Sequence, residues 1–230
     1  MSDAIHFVSI QPDFIRAYLS FGIFRAAEDH QPGQFHVHNL RNFATDKHGT
    51  IDGRPYGGGD GMVFRPEPLA KLVQSFPEKP YVIHFSPSGK PFKQADSLRL
   101  SAINRPLLMV CSRFGGLDQR FIDHYVDEEI SLGDFVISGG ELAALTVADA
   151  IVRHRPGALG HQDSVKDDSF SEGMNGALEH PLYTRPEIFE GVAVPEVLLS
   201  GHHVKIEQWK REQSEIRTLH RRPDLIPEKK

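Results

Sequence analysis

The sequence has little cysteine, and this shortage excludes two kinds of covalent or metal-based scaffold. Its 230 residues contain one cysteine, Cys111, which cannot form an internal disulfide. A structural zinc site built from several cysteines is excluded for the same reason. Cys111 lies in the strand-like run LLMVCS, so we predict a small, buried, apolar residue. This usage fits the reducing cytoplasm.

Long apolar runs are also missing, which argues against a membrane partner. The longest are short, such as residues 107–111, whereas a helix that crosses a bilayer needs roughly 20 apolar residues. The first residues, MSDAIHFVSIQPDF, contain an early aspartate and no basic segment. We therefore predict no secretory signal.

Positive charge is scarce overall but concentrated near the end of the chain. The net charge is −5, which argues against a protein that coats nucleic acid with its whole surface. Residues 201–222 nevertheless carry six Lys or Arg against three Glu, a local charge of +3. This segment either contacts a phosphate backbone or forms a solvated helix face, and charge alone does not decide between them.

Three short apolar segments set the fold class. YVIHFS (81–86), LLMVCS (107–112) and DFVISG (134–139) each reach a serine, and these serines are 26 residues apart. Helical patterns follow at 93–103, 117–125 and 141–152, and further strands are expected at 5–10 and 34–40. Alternation at this period predicts βαβ units on a parallel sheet, the α/β class.

The loops after these segments, SPSGKP, SRFGGLD and SGGELA, are small or rich in glycine. Loops at the carboxyl ends of parallel strands meet at one edge of the sheet, where ligands bind, so we predict a crevice there. The alternative is that the glycines only make turns and that Ser138 and Glu141 form a capping box. Neither the dinucleotide fingerprint nor the phosphate loop is present, which favours an adenine and ribose over a triphosphate.

Composition also divides the chain into domains. Pro156 and Gly157 end the helix over 141–152, and residues 160–181 have few apolar side chains. We predict an α/β domain at 1–159, a flexible linker at 160–172 and a small helical domain at 173–230. A helix from about residue 203 to 219 would bury Trp209 with the apolar residues Ile206, Ile216 and Leu219.

Several segments together resemble one enzyme family. They include RPYGGGDGM, HFSPSG, SLGDFVISGGELAALT, PGALGHQDS, DDSFSEG, HPLYTRPEIFEGVAVPEVLLSGHH and RTLHRRPDL. In this order, from near residue 5 to residue 225, they resemble the bacterial tRNA (guanine-N1)-methyltransferases of the TrmD type. The spacing between SGGELA and LLSGHH makes this a specific resemblance.

The resemblance implies a function and an architecture. The family transfers a methyl group from S-adenosylmethionine to N1 of guanosine at tRNA position 37, beside the anticodon. It implies a SPOUT-type domain with a deep trefoil knot, which strand and helix patterns alone do not predict. It also implies a homodimer with active sites at the interface, a C-terminal tRNA-binding domain and an activity linked to Mg²⁺.

The resemblance also implies site residues, which fall mainly on the three loops. The residues expected at the methyl donor are His84, Phe85, Ser86, Pro87, Ser112, Phe114, Gly116, Leu132, Gly133, Asp134, Phe135, Val136, Ile137, Gly139, Gly140 and Ala143. Those expected at the tRNA are Asp52, Gly57, Gly58, Gly59, Lys210, Arg211 and Arg217. The bare backbone of Gly139 and Gly140 would let the adenosine lie against amides and carbonyls.

Four positions depart from the family pattern. CSRFGG stands where the family usually has Cys-Gly-Arg-Tyr-Glu-Gly, so Ser112 replaces glycine, Phe114 replaces tyrosine and Gly115 replaces glutamate. Ala143 stands where proline is usual. The serine is expected to narrow the crevice, and the missing glutamate removes one candidate magnesium ligand.

Two residues match the family's acid–base chemistry. Methylation of guanine N1 requires loss of its proton while negative charge gathers on O6. Asp168, in DDSFSEG, matches the base, and Arg153 matches the group that stabilises O6. The alternatives are that Asp168 favours the start of a helix and that Arg153 complements the end of one. Two other functions remain open here, a tRNA-binding protein with a vestigial donor pocket and a nucleotide-cofactor oxidoreductase.

Overall fold

A five-stranded parallel sheet organises the first part of the chain in the computed structural model, which describes residues 4–160 and 168–226. Its strands are β1 (Ile5–Ser9), β2 (Phe35–Asn39), β5 (Tyr81–Pro91), β6 (Leu107–Val110) and β7 (Glu128–Ser131). They are ordered β2-β1-β6-β5-β7, and every neighbouring pair is parallel. The predicted α/β class and parallel sheet are therefore confirmed.

Six helices and a two-stranded ribbon surround this sheet. The helices are α1 (Pro12–Leu19), α2 (Gly22–His30), α3 (Pro66–Gln74), α4 (Gln94–Ser101), α5 (Gln119–Tyr125) and α6 (Glu141–Val152). The ribbon pairs β3 (Asp52–Gly53) with β4 (Val63–Phe64) in antiparallel fashion. Successive strand residues face opposite sides, so Phe7 and Met109 join one core cluster while Val8 and Val110 join the other.

Four of the five predicted strands are confirmed, but the strand at 134–139 is wrong. The last strand of the sheet is β7, and residues 134–139 form the loop between β7 and α6. Phe135 and Val136 are 55% and 85% exposed, so this apolar run is not buried. The prediction was wrong because β7 lies at the sheet edge and has one apolar residue in four, Ile130, so it lacks the apolar run expected of a buried strand. The loop that follows does contain an apolar run, but this run lines the cavity and is not part of the sheet.

β5 passes close to β7 beyond the regular part of their ladder. The pairing shifts between Phe85 and Lys90, where the loop SPSG leaves the strand. A side chain at Gly89 would place its Cβ 2.6 Å from the backbone carbon of Glu129 and the nitrogen of Ile130. Only glycine therefore lets these two backbone segments approach each other.

The chain divides into two compact units, residues 1–162 and 163–230. In the second unit, residues 168–176 form turns, so the helix start considered for Asp168 is not present there. A short hairpin, β8 (Ile188–Phe189) and β9 (Val192–Ala193), precedes helices α7 (Glu196–Leu199) and α8 (His203–Arg221). Residues 161–167 of the predicted linker lie outside the described residues.

Helix α8 is confirmed, but its predicted apolar stripe is wrong in part. Ile216 and Leu219 are 50% and 58% exposed. The buried side chains are Ser214 and Thr218 instead. Ser214 Oγ donates to the carbonyl of Leu178 at 2.6 Å, and Thr218 Oγ1 accepts from the amide of Leu178 at 3.0 Å. The helix is thus held by hydroxyl contacts with the backbone, which an apolar pattern does not show.

Trp209 lies beside two aromatic rings of the second unit. Its ring centroid is 6.4 Å from that of His180 and 6.2 Å from that of Tyr183. Packing within the unit is therefore confirmed for Trp209, with partners other than those the helical spacing suggested.

Three histidines stack at the β1 and β2 edge of the sheet. The rings of His6 and His36 are 4.5 Å apart, and His6 Nδ1 lies 2.9 Å from His38 Nε2. Burial, reinforced by the other two histidines, lowers the pKa of His6 to about 3. In the folded chain His6 is therefore neutral above about pH 3.

This cluster predicts acid sensitivity. Between about pH 6.5 and 3 the unfolded chain binds a proton at His6 that the folded chain does not. The free energy of unfolding should therefore decrease as the pH is lowered through this range, and His6 should contribute up to about 1.4 kcal/mol per pH unit to that decrease. His6→Gln should reduce this slope in urea unfolding followed by far-ultraviolet circular dichroism, whereas His124→Gln, at an exposed histidine on α5, should not. Equal slopes in all three proteins would contradict the prediction.

Candidate functional site

A cavity of about 290 Å³ opens at the carboxyl edge of the parallel sheet. Three segments line it, the bulge of β5, the loop after β6, and the end of β7 with the loop into α6. The lining residues are His84, Phe85, Ser86, Pro87, Ser112, Arg113, Phe114, Gly115, Gly116, Ile130, Ser131, Leu132, Gly133, Phe135, Val136, Ile137, Ser138, Gly139, Gly140 and Ala143. The loops that follow separate strands in sequence thus form one crevice.

All residues predicted to contact a ligand from these loops line the cavity except Asp134. Asp134 lies in the same loop, but it is exposed and is not part of the lining. The prediction missed Ile130 and Ser131 because β7 was not recognised as a strand. It also missed Arg113, Gly115 and Ser138, which lie between predicted residues. Their position inside the loop motifs was the only available signal.

Packing between two loops explains why the turn at Gly139 and Gly140 has no side chains. A Cβ at Gly140 would lie 3.0 Å from Cys111 Cα and 3.1 Å from the Ser112 nitrogen, and Gly140 N–H donates to the Ser112 carbonyl at 2.8 Å. A Cβ at Gly139 would meet the side chains of Glu141 and Arg113. The missing side chains thus let two loops touch through their backbones, and this contact forms one wall of the cavity.

Glu141, at the start of α6, anchors that wall. The predicted capping box is wrong, since Gly140 occupies the cap position and makes no side-chain cap. Glu141 is 1% exposed, and its Oε1 accepts from Ser9 Oγ at 2.6 Å and from Arg113 Nε at 3.1 Å. Arg113 also donates to Gln11 at 3.0 Å. A buried charge paired in this way ties β1, the β6 loop and α6 together.

His84 forms a second polar contact between segments. Its Nδ1 lies 2.9 Å from Glu129 Oε1 on β7, and its Nε2 lies 3.2 Å from Ser112 Oγ. Burial lowers the pKa of His84, against the opposing effect of Glu129. A neutral imidazole therefore joins the β6 loop to the outer strand.

The remaining departures from the family pattern have local structural effects. Gly115 N–H donates to the Met62 carbonyl at 2.7 Å, and a Cβ there would lie 2.9 Å from the same oxygen. Glycine thus lets the β6 loop approach the segment before β4. Phe114 is 61% exposed at the cavity and lies edge-on to Phe64. Cys111, the neighbouring cysteine, is buried as predicted, and burial raises the pKa of its thiol.

Neither of the two residues matched to acid–base chemistry is among the residues that line the cavity. Arg153 is the cap residue at the carboxyl end of α6. Because α6 begins at the cavity, Arg153 is about 20 Å along the helix from Gly140. Asp168 belongs to the second compact unit, where its carbonyl accepts from the Ser171 amide at 3.1 Å.

The residues matched to tRNA contacts occupy two other surfaces. Asp52 lies on β3, and Gly57, Gly58 and Gly59 form an exposed turn in which all three have positive φ. Lys210, Arg211 and Arg217 lie on α8, where Lys210 Nζ pairs with Glu207 at 2.8 Å.

Comparison with known proteins assigns the chain to a family. The family model described as tRNA (Guanine-1)-methyltransferase TrmD matches residues 4–228. The chain belongs to this family. Among residues 4–160 and 168–226, no helix is long and apolar enough to cross a membrane.

Its similarity to curated tRNA (guanine-N(1)-)-methyltransferases extends over almost the whole length. One from Hydrogenovibrio crunogenus is 46% identical over 222 residues, covering 95% of this chain and 92% of the relative. One from Brevibacillus brevis is 46% identical over 224 residues, covering 96% and 90%. One from Staphylococcus aureus is 42% identical over 224 residues, with the same coverage. The chain is therefore an enzyme of this methyltransferase class, and the oxidoreductase alternative is removed.

The loop contact predicts the effect of a side chain at Gly140. Gly140→Val should abolish binding of S-adenosylhomocysteine, measured by calorimetry, because the valine would push the β6 loop away from α6. Gly160→Val is the control, since a Cβ at Gly160 meets nothing within 4 Å. Unchanged affinity in Gly140→Val would show that this turn does not shape the binding site.

Proposed function

We propose that the chain transfers a methyl group from S-adenosylmethionine to N1 of guanosine at tRNA position 37. The observation that carries this proposal is the cavity at the sheet's carboxyl edge, built by the three loops that match the family. The same residues argue against a vestigial pocket, because the four departures leave an open crevice of about 290 Å³. A cytoplasmic location stays a prediction from cysteine usage.

The cavity suits the donor chemically. Exposed apolar side chains, Phe114 and Val136 among them, offer flat surfaces for an adenine, while backbone groups of residues 131–140 offer hydrogen bonds. Arg113, the arginine in the lining, is already paired with Glu141, which agrees with a ligand that lacks phosphate. When bound, S-adenosylmethionine supplies an activated methyl group, so the protein's own task is alignment and proton removal.

Asp168 is proposed as the base that accepts the N1 proton, and Arg153 as the group that stabilises charge on O6. A carboxylate is a weaker base than deprotonated guanine, so it requires this second interaction. A cation beside O6 favours the deprotonated base and lowers the cost of proton transfer. The target base must also leave its stack to reach the donor.

We further infer a homodimer with active sites at the interface. Arg153, about 20 Å along α6 from the cavity, is too far to line it from the same chain. Arg153 would therefore act on the cavity of a second copy, and we propose that Asp168 acts with it there. Exposed apolar residues beside the cavity, such as Val136 at 85% and Leu142 at 53%, offer a surface that this copy would cover.

A trefoil knot is proposed for the segments around the cavity. Three observations support it: the close passage of Gly89 against β7, the hydrogen bond from Phe92 N–H to the Ser131 carbonyl, and the contact of Gly140 with Ser112. Each brings backbone from residues distant in sequence within bonding distance. Such contacts are expected where one segment passes through the loop made by another.

The tRNA is proposed to contact the helical segment 173–230 and the glycine turn at 57–59. Lys210, Arg211 and Arg217 place positive charge along α8. Asp52 and the turn would order around the nucleotide. Magnesium stays a prediction: among residues 4–160 and 168–226, no group of three or more His, Cys, Asp or Glu side chains is arranged to hold a metal ion.

A direct assay tests the function. The protein is incubated with methyl-labelled S-adenosylmethionine and an unmodified tRNA transcript that carries guanosine at position 37. We expect label in the RNA as N1-methylguanosine, and none in a matched transcript with adenosine at that position. Donor binding without any labelled RNA would favour the tRNA-binding alternative.

The proposed base predicts a selective loss of turnover. Asp168→Asn should lower methyl transfer by roughly 10²- to 10⁴-fold while donor affinity in calorimetry stays unchanged. Glu172→Gln removes an exposed carboxylate from the same segment and should leave the rate near that of the unsubstituted protein. Unchanged turnover in Asp168→Asn would reject the assignment.

Charge reversal on α8 predicts weaker tRNA binding. Replacing Lys210 and Arg211 with Glu should weaken binding and lower the slope of log K against log salt by roughly 1.4 to 1.8. The control replaces Arg25 and Lys79 with Glu, because these basic side chains are 70% and 55% exposed and lie outside α8. An equal loss of tRNA affinity in both double variants would show that the charged side of α8 is only a solvated helix face.

A further inference from the structure

Ser112 has a defined hydrogen-bond environment at the cavity wall. It is 8% exposed, and its Oγ lies 3.2 Å from His84 Nε2. We propose that Ser112 positions the methyl donor by accepting a hydrogen bond from an N–H or O–H group of that ligand, because His84 and Glu129 orient the hydroxyl. This inference rests on the proposed use of S-adenosylmethionine.

The orientation follows from the two contacts of the His84 ring. An ionised carboxylate has only acceptors, so the contact between Glu129 and Nδ1 at 2.9 Å requires the proton on Nδ1. In a neutral ring Nε2 is then an acceptor. The hydrogen of the Ser112 hydroxyl must point at Nε2, which leaves only the oxygen lone pairs for a ligand.

The surroundings keep the ring neutral. His84 is 4% exposed, and the pKa of its ring is lowered by burial. Glu129 on β7 is the charged group that faces the ring, and the β6 loop contributes the uncharged Ser112. In an imidazolium both nitrogens would donate, and Ser112 would then present its hydrogen to the cavity. The buried neutral ring thus selects the acceptor form of the hydroxyl.

The donor molecule has three groups that fit this acceptor. They are the amino group of adenine, the ribose hydroxyls and the ammonium of the amino-acid part. Each of these groups can donate a hydrogen bond to an oxygen lone pair. Experiment must therefore show which of the three contacts Ser112. Ser112 is accordingly a binding residue, whereas Glu129 acts through His84 and is a positioning residue.

The first test needs no ligand. Nitrogen-15 spectra of the labelled protein distinguish a protonated ring nitrogen from an unprotonated one, and a His84→Gln spectrum assigns the signal among the 13 histidines. We expect Nδ1 protonated and Nε2 unprotonated at neutral pH. Glu129→Leu removes the acceptor at Nδ1 and should shift this distribution. A proton on Nε2 in the unsubstituted protein would overturn the inference.

The second test measures S-adenosylhomocysteine binding by calorimetry. Ser112→Ala should weaken binding roughly fivefold to tenfold, the effect of one hydrogen bond, and Ser112→Gly should do the same. Glu129→Leu should also weaken binding, but it should add nothing in the Ser112→Ala background, because both changes remove the same contact with the donor. Thermal melting confirms that each variant is folded.

A matched control is present elsewhere in the chain. Ser97 Oγ lies 2.9 Å from His154 Nε2, and Ser97 is not part of the cavity lining. Ser97→Ala therefore removes a similar serine–histidine contact and should leave donor affinity within about twofold. Analogues that lack the adenine amino group, a ribose hydroxyl or the ammonium locate the partner. The analogue that lacks the group bound by Ser112 should bind to Ser112→Ala and to the unsubstituted protein with equal affinity.

The possible failures are distinguishable. If the unsubstituted protein does not bind S-adenosylhomocysteine, the proposed function fails and this inference fails with it. If that protein binds but Ser112→Ala and Ser112→Gly bind equally well, the inference alone is overturned. It is also overturned if none of the analogues removes the difference between the variants.

Discussion

The loops at the sheet edge pack backbone against backbone, and this contact determines where the cavity and its polar groups lie. Gly140 allows the start of α6 to touch Cys111 and Ser112, and Gly89 allows the end of β5 to touch β7. Because the interior is close-packed, a single Cβ at either position would push the loops apart. The cavity exists as the space that remains once these loops have packed.

Buried polar pairs then give this cavity its chemical character. Glu141, held by Ser9 and Arg113, fixes one wall, and His84, held between Glu129 and Ser112, fixes another. Each pair joins elements that are distant in sequence, so the groups lining the cavity are oriented before a ligand arrives. Such prior orientation matters for methyl transfer, where the protein contributes alignment more than covalent chemistry.

The division of the chain into two units separates the tasks of the proposed reaction. The first unit holds the cavity, while Asp168 belongs to the second, and Arg153 lies at the end of α6 remote from the cavity. Within a single copy, α6 therefore does not bring Arg153 to the cavity. A second copy would complete the site, so the proposed dimer and the proposed chemistry depend on each other.

Local patterns in the sequence correctly predicted the α/β class, the strands β1, β2, β5 and β6, and the three loops that line most of the cavity, because apolar runs and glycine-rich loops are local signals. The prediction of the last strand was wrong, because β7 is a polar edge strand and the exposed loop at 135–137 has the apolar pattern of a strand. The folded structure was needed to show why Gly140 lacks a side chain, which groups the Glu141 carboxylate pairs with and what Ser112 contacts. Those answers depend on atoms supplied by segments far away along the chain, and no local pattern records such distances.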